Sequence, residues 1–326
     1  MAFRTPPTPE YERDIKKLEA HYKKALKEVT KLLVKLDPKD TLRASLYNSL
    51  LRQITFIIDE LNNKSREWLE TTLTEAYEQG IANSLVSMGI AKDILQAKGS
   101  QEFSLISRNR VEAMIADTFR DVLKATTFME NTLKRRVREL QAEVLRQNTI
   151  LQRGTVTSAK GMKQRLLAEG FLKSLVEENW KGIIDASGRR WDLTTYTSMV
   201  ARTKLQQAHI EGVTQTALEN GSDLAVISSH GAKDACRNFE GLIISLTGRT
   251  KGYRTLAELR NSGLIFHPNC QHSVHAIGDI NAFPQSLKQK HGEKESQADF
   301  ALKNAKEIKS KDNARRYKQK KDDNKN

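Results

Sequence analysis

The chain has 326 residues, 38% of them hydrophobic and only 6% aromatic, and its 54 Lys and Arg against 40 Asp and Glu leave a formal net charge of +14. That length admits two or three domains with a sizeable core, while so lean an apolar share suits long helices with narrow apolar faces, and six prolines without a Pro- or Gly-rich stretch argue against an all-β fold. No apolar run approaches the roughly 18 residues of a membrane span, and the opening MAFRTPPTPEYERD lacks the apolar stretch of a secretory signal, so no membrane span and a cytosolic product with reduced thiols are expected.

Pro6, Pro7 and Pro9 make an extended arm. A helix is expected from Tyr11 to Leu36, because Ile15, Leu18, Tyr22, Ala25, Val29, Leu32 and Leu36 alternate spacings of three and four, a heptad seam. Asp37-Pro38 breaks it. Asp40 or Thr41 can cap a second helix, whose stripe runs Leu42, Leu46, Leu50, Ile54, Ile57, Leu61, Trp68, Leu69 and Leu73 and reaches Met88, where Gly89 offers a C-cap. A third long helix is expected from Phe103 to Gln152, with Val111, Ile115, Phe119, Val122, Thr126, Met129, Leu133, Leu140 and Val144 on one side. Three long helices with short connections suggest an antiparallel, partly elongated bundle over residues 1–153.

After Gly154 the texture changes. Met162 to Leu167 and Phe171 to Trp180 read as shorter helices, and DASGRRWD (Asp185 to Asp192) as a turn with Gly188 at its tip. Thr194 or Thr195 can cap a helix that Asn220-Gly221 ends. Strands are expected at Leu224 to Ser229, Gly241 to Ser245 and Cys270 to Ile277, with a short helix between the last two that starts on the capping box Thr255/Glu258 and stops at Gly263. The fold class is therefore mainly α, a long-helix N-terminal bundle followed by a small α+β domain over 154–284. A basic tail, 285–326, carries 13 Lys and Arg against 7 Asp and Glu. Its charge is read either as solubilising or as an electrostatic binding surface.

Chemistry concentrates in FHPNCQHSVHAIG (Phe266 to Gly278), which holds three of the seven histidines and one of the two cysteines. His267-Pro268-Asn269-Cys270 has the composition of a β-turn, which brings its first and fourth Cα atoms within about 7 Å. On a following strand Cys270 and His272 share a face and His275 points the other way. If the strands are neighbours, His230, Cys236, His267, Cys270 and His272 could converge. Three readings stay open. Two cysteines and two histidines suit a structural zinc ion, although the spacing is not that of a finger or ribbon. Adjacent Cys236 and Cys270 with hydrogen-bonding histidines could lock the turn without a metal. Cys270 with His267, or His230 with Asp234, could be catalytic pairs. Two groups of cations are candidate contacts for phosphate or an acidic partner: Lys134, Arg135 and Arg138 on one helix face, and Arg315, Arg316, Lys318, Lys320 and Lys321 near the end. P-loop, Rossmann, GxSxG and HExxH signatures are absent.

In chain order, ART (Ala201 to Thr203), SSH (Ser228 to His230), DACRNFEG (Asp234 to Gly241) and FHPNCQHSV (Phe266 to Val274) resemble the shared C-terminal domain of tailed-phage minor head proteins, the family of phage Mu's F protein and the related phage minor capsid proteins. The resemblance covers about Met199 to Ile277. It departs from the family's pattern at Gln271, where arginine usually follows HPNC, and at Lys204, where glutamate often follows RT. It implies a non-enzymatic structural protein of the virion, at the head interior or portal vertex and assembled in the host cytoplasm. The implied partners are the portal protein, the major capsid or scaffolding protein, and double-stranded DNA held without sequence preference. The implied roles are head assembly and DNA packaging or delivery. The alternative is a metal-dependent nuclease or hydrolase built on His230, His267, Cys270 and His272.

Overall fold

The computed structural model describes residues 3–34, 44–99, 105–150, 181–184 and 190–323. In chain order the helices are α1 (Glu12–Val34), α2 (Ala44–Ser87), α3 (Ile94–Gly99), α4 (Leu105–Ile150), α5 (Leu193–Glu219), α6 (Leu256–Ser262), α7 (Gln285–Lys303) and α8 (Ala305–Asp323). The strands are β1 (Lys181–Ile184), β2 (Arg190–Asp192), β3 (Leu224–Ile227), β4 (Ile243–Ser245) and β5 (Val274–Ala276). The expected class, mainly α with a small α+β part in the C-terminal half, is borne out. No helix among the described residues is long and apolar enough to cross a membrane.

Contacts divide the chain into two compact units that do not follow a linear cut at residue 153: one is 1–11, 72–114 and 202–326, the other 12–71 and 115–201. The reason lies in the long helices. α2, α4 and α5 each give one stretch to each unit, which a segment-by-segment reading cannot see.

In the second unit α1 buries Ile15, Leu18, Tyr22, Leu26, Val29 and Leu33. Those positions average 3.6 residues per turn, so the seam slides off the heptad and ends on Leu33 instead of Leu32. A straight α-helix drifts this way when no supercoil holds it at 3.5. The same one-residue slip puts Ile58 rather than Ile57 in the core of α2. Trp68 of α2 donates its indole N–H to the Asp14 carbonyl of α1 at 3.0 Å. The Arg66 guanidinium lies 5.4 Å from the Phe119 ring centre on α4. The antiparallel pair β1–β2 is not expected from the sequence pattern: β1 falls between the helix expected to end at Trp180 and the turn expected from Asp185, and β2 falls on the end of that turn. Arg190–Asp192, read as turn, is strand, and Asp192, two residues before the expected cap, accepts the Thr195 amide at 2.7 Å to start α5. The expected helices at 162–167 and 171–180, the break at 37–38 and the turn tip at Gly188 lie outside the described residues.

The first unit is organised around the crossing of α2 and α5. A Cβ on Gly80 would stand 2.1 Å from the His209 carbonyl oxygen, and one on Gly212 would stand 2.2 Å from that of Tyr77. Each glycine faces the carbonyl three residues ahead of the other, so the two backbones touch. Ser84 Oγ donates to the Val213 carbonyl at 3.2 Å and Asn83 Nδ2 lies 2.9 Å from His209 Nε2. Beside this crossing stands an antiparallel sheet in the order β4-β3-β5. Leu224 and Val226 of β3 face one apolar cluster with Ile243 and Phe283, while Ala225 and Ile227 face another with Ile244 and Val274. Burial on both faces is why β3 reads as an unbroken apolar run. Thr255 accepts the Glu258 amide at 3.0 Å and Gly263 closes α6 in the left-handed region, as expected. The stretch read from its charge as a tail is helical through Asp323. α7 buries Ala298 and Ala301 completely, and Leu302, Ala305 and Ile308 pack on the same core. Small alanines under a lysine-rich surface leave little trace in the sequence.

Candidate functional site

The sheet's topology assembles the cluster. β3 is antiparallel to both neighbours, so the end of β3 and the starts of β4 and β5 lie at the same end of the sheet. The β3–β4 connection carries His230, Asp234, Cys236 and Glu240 there, and the segment entering β5 carries His267, Cys270 and His272. Inside the first loop, Ala235–Asn238 forms a 3-10 turn capped by Asp234, whose carboxylate accepts the Cys236 amide at 3.2 Å. The second loop is the expected β-turn: the Cys270 amide donates to the His267 carbonyl at 2.9 Å, and Asn269 takes a positive φ of 66°. Proline second and a left-handed asparagine third is the pattern of a type II turn.

The turn is held from outside by side chains that the residue-by-residue reading does not single out. Arg202 donates to Asn269 Oδ1 at 2.7 Å, Thr203 Oγ1 accepts the Asn269 amide at 3.3 Å, and Gln206 donates to the His272 carbonyl at 2.8 Å. All three lie on α5, which gives the ART segment a physical role: it grips the HPNC turn. On the other side Asp312 of α8 accepts the Ala235 amide at 2.8 Å and Arg315 donates to the Lys233 carbonyl at 2.9 Å. The two loops border a cavity of about 290 Å³ lined by residues that include His230, Cys236, His267 and Cys270.

Within the cluster Cys236 Sγ lies 3.9 Å from Cys270 Sγ and 3.2 Å from His267 Nε2, and Cys270 Sγ lies 3.3 Å from His272 Nδ1. Both cysteines are free thiols, and both are buried. Each histidine is anchored through its other nitrogen. His267 Nδ1 is 2.9 Å from the Pro268 carbonyl, and His272 Nε2 is 3.2 Å from Glu240 Oε1. Those partners only accept, so these nitrogens donate, which leaves His272 Nδ1 with a lone pair toward Cys270 in the neutral ring, whereas His267 Nε2 lies between Cys236 Sγ and the Asp234 carboxylate. Glu240 is fixed by the His230 and Ala232 amides, both at 3.0 Å. Burial alone would raise its pKa, but these amides and the His272 ring outweigh that and hold it at about 2. The Cys236 thiol, the His272 ring and its amide lower the Cys270 pKa against the effect of burial, while the contact with Cys270 and burial push Cys236 up. His267 is raised by its contact with Asp234, 3.5 Å away. Burial opposes the charged form of His272, but Cys270 and Glu240 outweigh it and raise that ring too.

The five residues His230, Cys236, His267, Cys270 and His272 thus surround one corner, with His230 at the exposed rim, its ring centre 4.2 Å from that of His272. The donor atoms of Cys236, Cys270 and His272 lie within 4.8 Å of one another, as do those of Asp234, Cys236 and His267. The catalytic pairings considered from sequence are rearranged: His267 faces Cys236 and Asp234, His272 faces Cys270, and His230 stacks on His272. Glu240, which holds the cluster from behind, also escapes the sequence reading. Its signal is a carboxylate set between Phe239 and an apolar strand. Of the basic candidates, Lys134 pairs with Glu130 at 2.6 Å and Arg135 with Glu139 at 2.9 Å, while Arg138 is exposed on the same helix. Arg316, Lys318, Lys320 and Lys321 lie on α8, their side chains outside those described.

Residues 43–321 match the family model described as phage minor capsid protein 2. No curated protein and no solved structure matches the chain.

Proposed function

This chain belongs to the phage minor capsid protein 2 family, a family of phage structural proteins, and we propose that within the virion it works at the portal vertex, docking on the portal protein and on the major capsid or scaffolding protein during head assembly. The family match carries this reading, because it spans the long helices, the sheet and the Cys/His corner together. In this role the chain is non-enzymatic, and the corner stiffens a module whose surrounding helices hold neighbouring proteins.

We further propose that the chain contacts packaged double-stranded DNA through phosphates, without reading sequence. The surplus of charge supports it: +14 overall, with 13 Lys and Arg against 7 Asp and Glu after residue 284. Arg138, Arg315, Arg316, Lys318, Lys320 and Lys321 are the cations assigned to this contact, with Lys134 and Arg135 contributing what their acidic partners leave.

Cross-linking mass spectrometry on procapsids containing this chain tests the placement. Cross-links to the portal protein are expected, and cross-links to the major capsid protein alone would overturn it. DNA binding should weaken as salt rises, log K falling with log salt by roughly 0.9 for each phosphate engaged. An affinity that does not move with salt would remove the electrostatic part and leave the structural role standing.

A further inference from the structure

We infer that the corner at the end of the sheet is a structural zinc site, with Cys236 Sγ, Cys270 Sγ and His272 Nδ1 as ligands and His267 Nε2 as the fourth. Donor geometry carries this, wherever in the virion the protein acts. Zn–S bonds of about 2.3 Å and Zn–N bonds of about 2.0–2.1 Å at tetrahedral angles require donor separations of roughly 3.8 Å for sulfur–sulfur and roughly 3.5 Å for sulfur–nitrogen. The corner offers 3.9 Å between the sulfurs, 3.3 Å from Cys270 to His272 Nδ1 and 3.2 Å from Cys236 to His267 Nε2. These are three of a tetrahedron's six edges: Cys236, Cys270 and His272 keep their donor atoms within 4.8 Å of one another, while His267 Nε2 groups with Cys236 and Asp234 and swings toward the other two donors to close the fourth position.

The outer contacts fit the same purpose. A metal-bound histidine typically donates its second N–H to a carboxylate or carbonyl, which fixes the tautomer that points a lone pair at the ion. His272 does this to Glu240 and His267 does it to the Pro268 carbonyl. Glu240 is in turn immobilised by two backbone amides. Two thiolates neutralise a dication, so the filled centre adds no net charge to a buried place. A thiolate and imidazole donor set selects zinc over magnesium or calcium, which take oxygen ligands. Four protein ligands close the coordination shell, which is the structural and not the catalytic pattern. On binding, each thiol that carries a proton releases it to solvent and each sulfur keeps its electron pair for the metal, so no oxidant or reductant takes part. The ion would tie the 3-10 turn after β3 to the HPNC turn 31 to 34 residues further on.

The test is metal analysis of the full-length chain, purified without a histidine tag or chelator in reducing buffer. One zinc per chain is expected. Replacement by cobalt should give the intense visible bands of a four-coordinate ion together with a thiolate charge-transfer band. Cys270→Ser should lose the metal. His267→Ala should keep the thiolate band but alter the visible bands as solvent takes the fourth position. Glu240→Gln should weaken zinc binding roughly 10–100-fold. If Cys270→Ser fails to fold, the cobalt spectrum of the unmodified chain and the affinity of Glu240→Gln still decide the matter. A chain that holds no metal, with both thiols open to alkylation or joined as a disulfide, overturns the site. So does a zinc content that Cys270→Ser leaves unchanged.

Discussion

The α2–α5 crossing and the Cys/His corner belong to the same compact unit and are held by opposite means. At the crossing, backbone meets backbone: Gly80 and Gly212 leave no room for even a methyl group, and contact follows from the absence of side chains. At the corner, polar side chains meet: two sulfurs, two imidazoles and a carboxylate gather on loops anchored in the core by Phe239, Leu264 and Ile265, and α5 and α8 grip those loops from either side. The crossing is fixed by shape and has one arrangement. The corner is fixed by chemistry, so its stability can be changed from outside by pH, redox state or a metal.

Gly80→Ala separates the two most sharply. In an open helix the change would gain up to about 1 kcal/mol. Here the new methyl would stand 2.1 Å from a backbone oxygen that cannot rotate away. A net loss of about 3 kcal/mol in urea unfolding is expected, and a neutral result would mean the helices are not in close contact. Removal of the proposed zinc comes next. An ion at 100 times its dissociation constant stabilises a fold by about 2.7 kcal/mol, so a chelator should lower unfolding stability by that order. Equal losses in Gly80→Ala would show that α5, which forms the crossing and also grips the turn, carries no strain from one to the other. Unequal losses would couple the two regions.

Acid should act on their histidines in different pH windows. Burial, helped by the charge of His275, pulls the His209 pKa down to about 3, and burial pulls His275 down to about 4. An unfolded histidine titrates near 6.5. Between that value and the lowered ones, the unfolded chain takes up protons that the folded chain refuses. Stability therefore falls as pH falls through this window, by about 1.4 kcal/mol per pH unit for each ring. In the metal-free corner His267 and His272 are raised, so their contribution is complete below pH 6.5 and is lost as pH climbs through the raised values. Urea titrations from pH 7 to pH 4.5 on His209→Gln should show the acid slope reduced by one proton; an unchanged slope would mean His209 is not held neutral. The smallest effect is expected for Arg202→Ala. It removes one charge-assisted hydrogen bond to Asn269 and should cost about 1.5 kcal/mol, with a lower zinc affinity as the specific sign that the grip on the turn matters.

What the sequence reveals follows the range of the forces involved. Thr255, Gly263 and the HPNC turn act within four residues, and each is placed correctly from composition alone. The seams are legible in kind but slip by one position, at Leu33 and Ile58, because a heptad and a 3.6-residue helix diverge over five turns. Gly80 and Gly212 sit inside helical patterns as ordinary interruptions, and only the partner helix explains them. Glu240 and the α5 residues Arg202, Thr203 and Gln206 act over 30 to 70 positions, a range at which one sequence carries the residue types without their pairing. The helices α7 and α8 are hidden by their own lysines.

Since β3 runs opposite to both neighbours, β4 carries the chain away from the cysteines and α6 brings it back. The excursion between them reaches the far end of the sheet, where a methyl group placed on Gly252 would meet nothing within 4 Å. A short peptide epitope inserted there should leave the thiols undisturbed, giving a visible flag for finding single copies of this protein in images of whole particles.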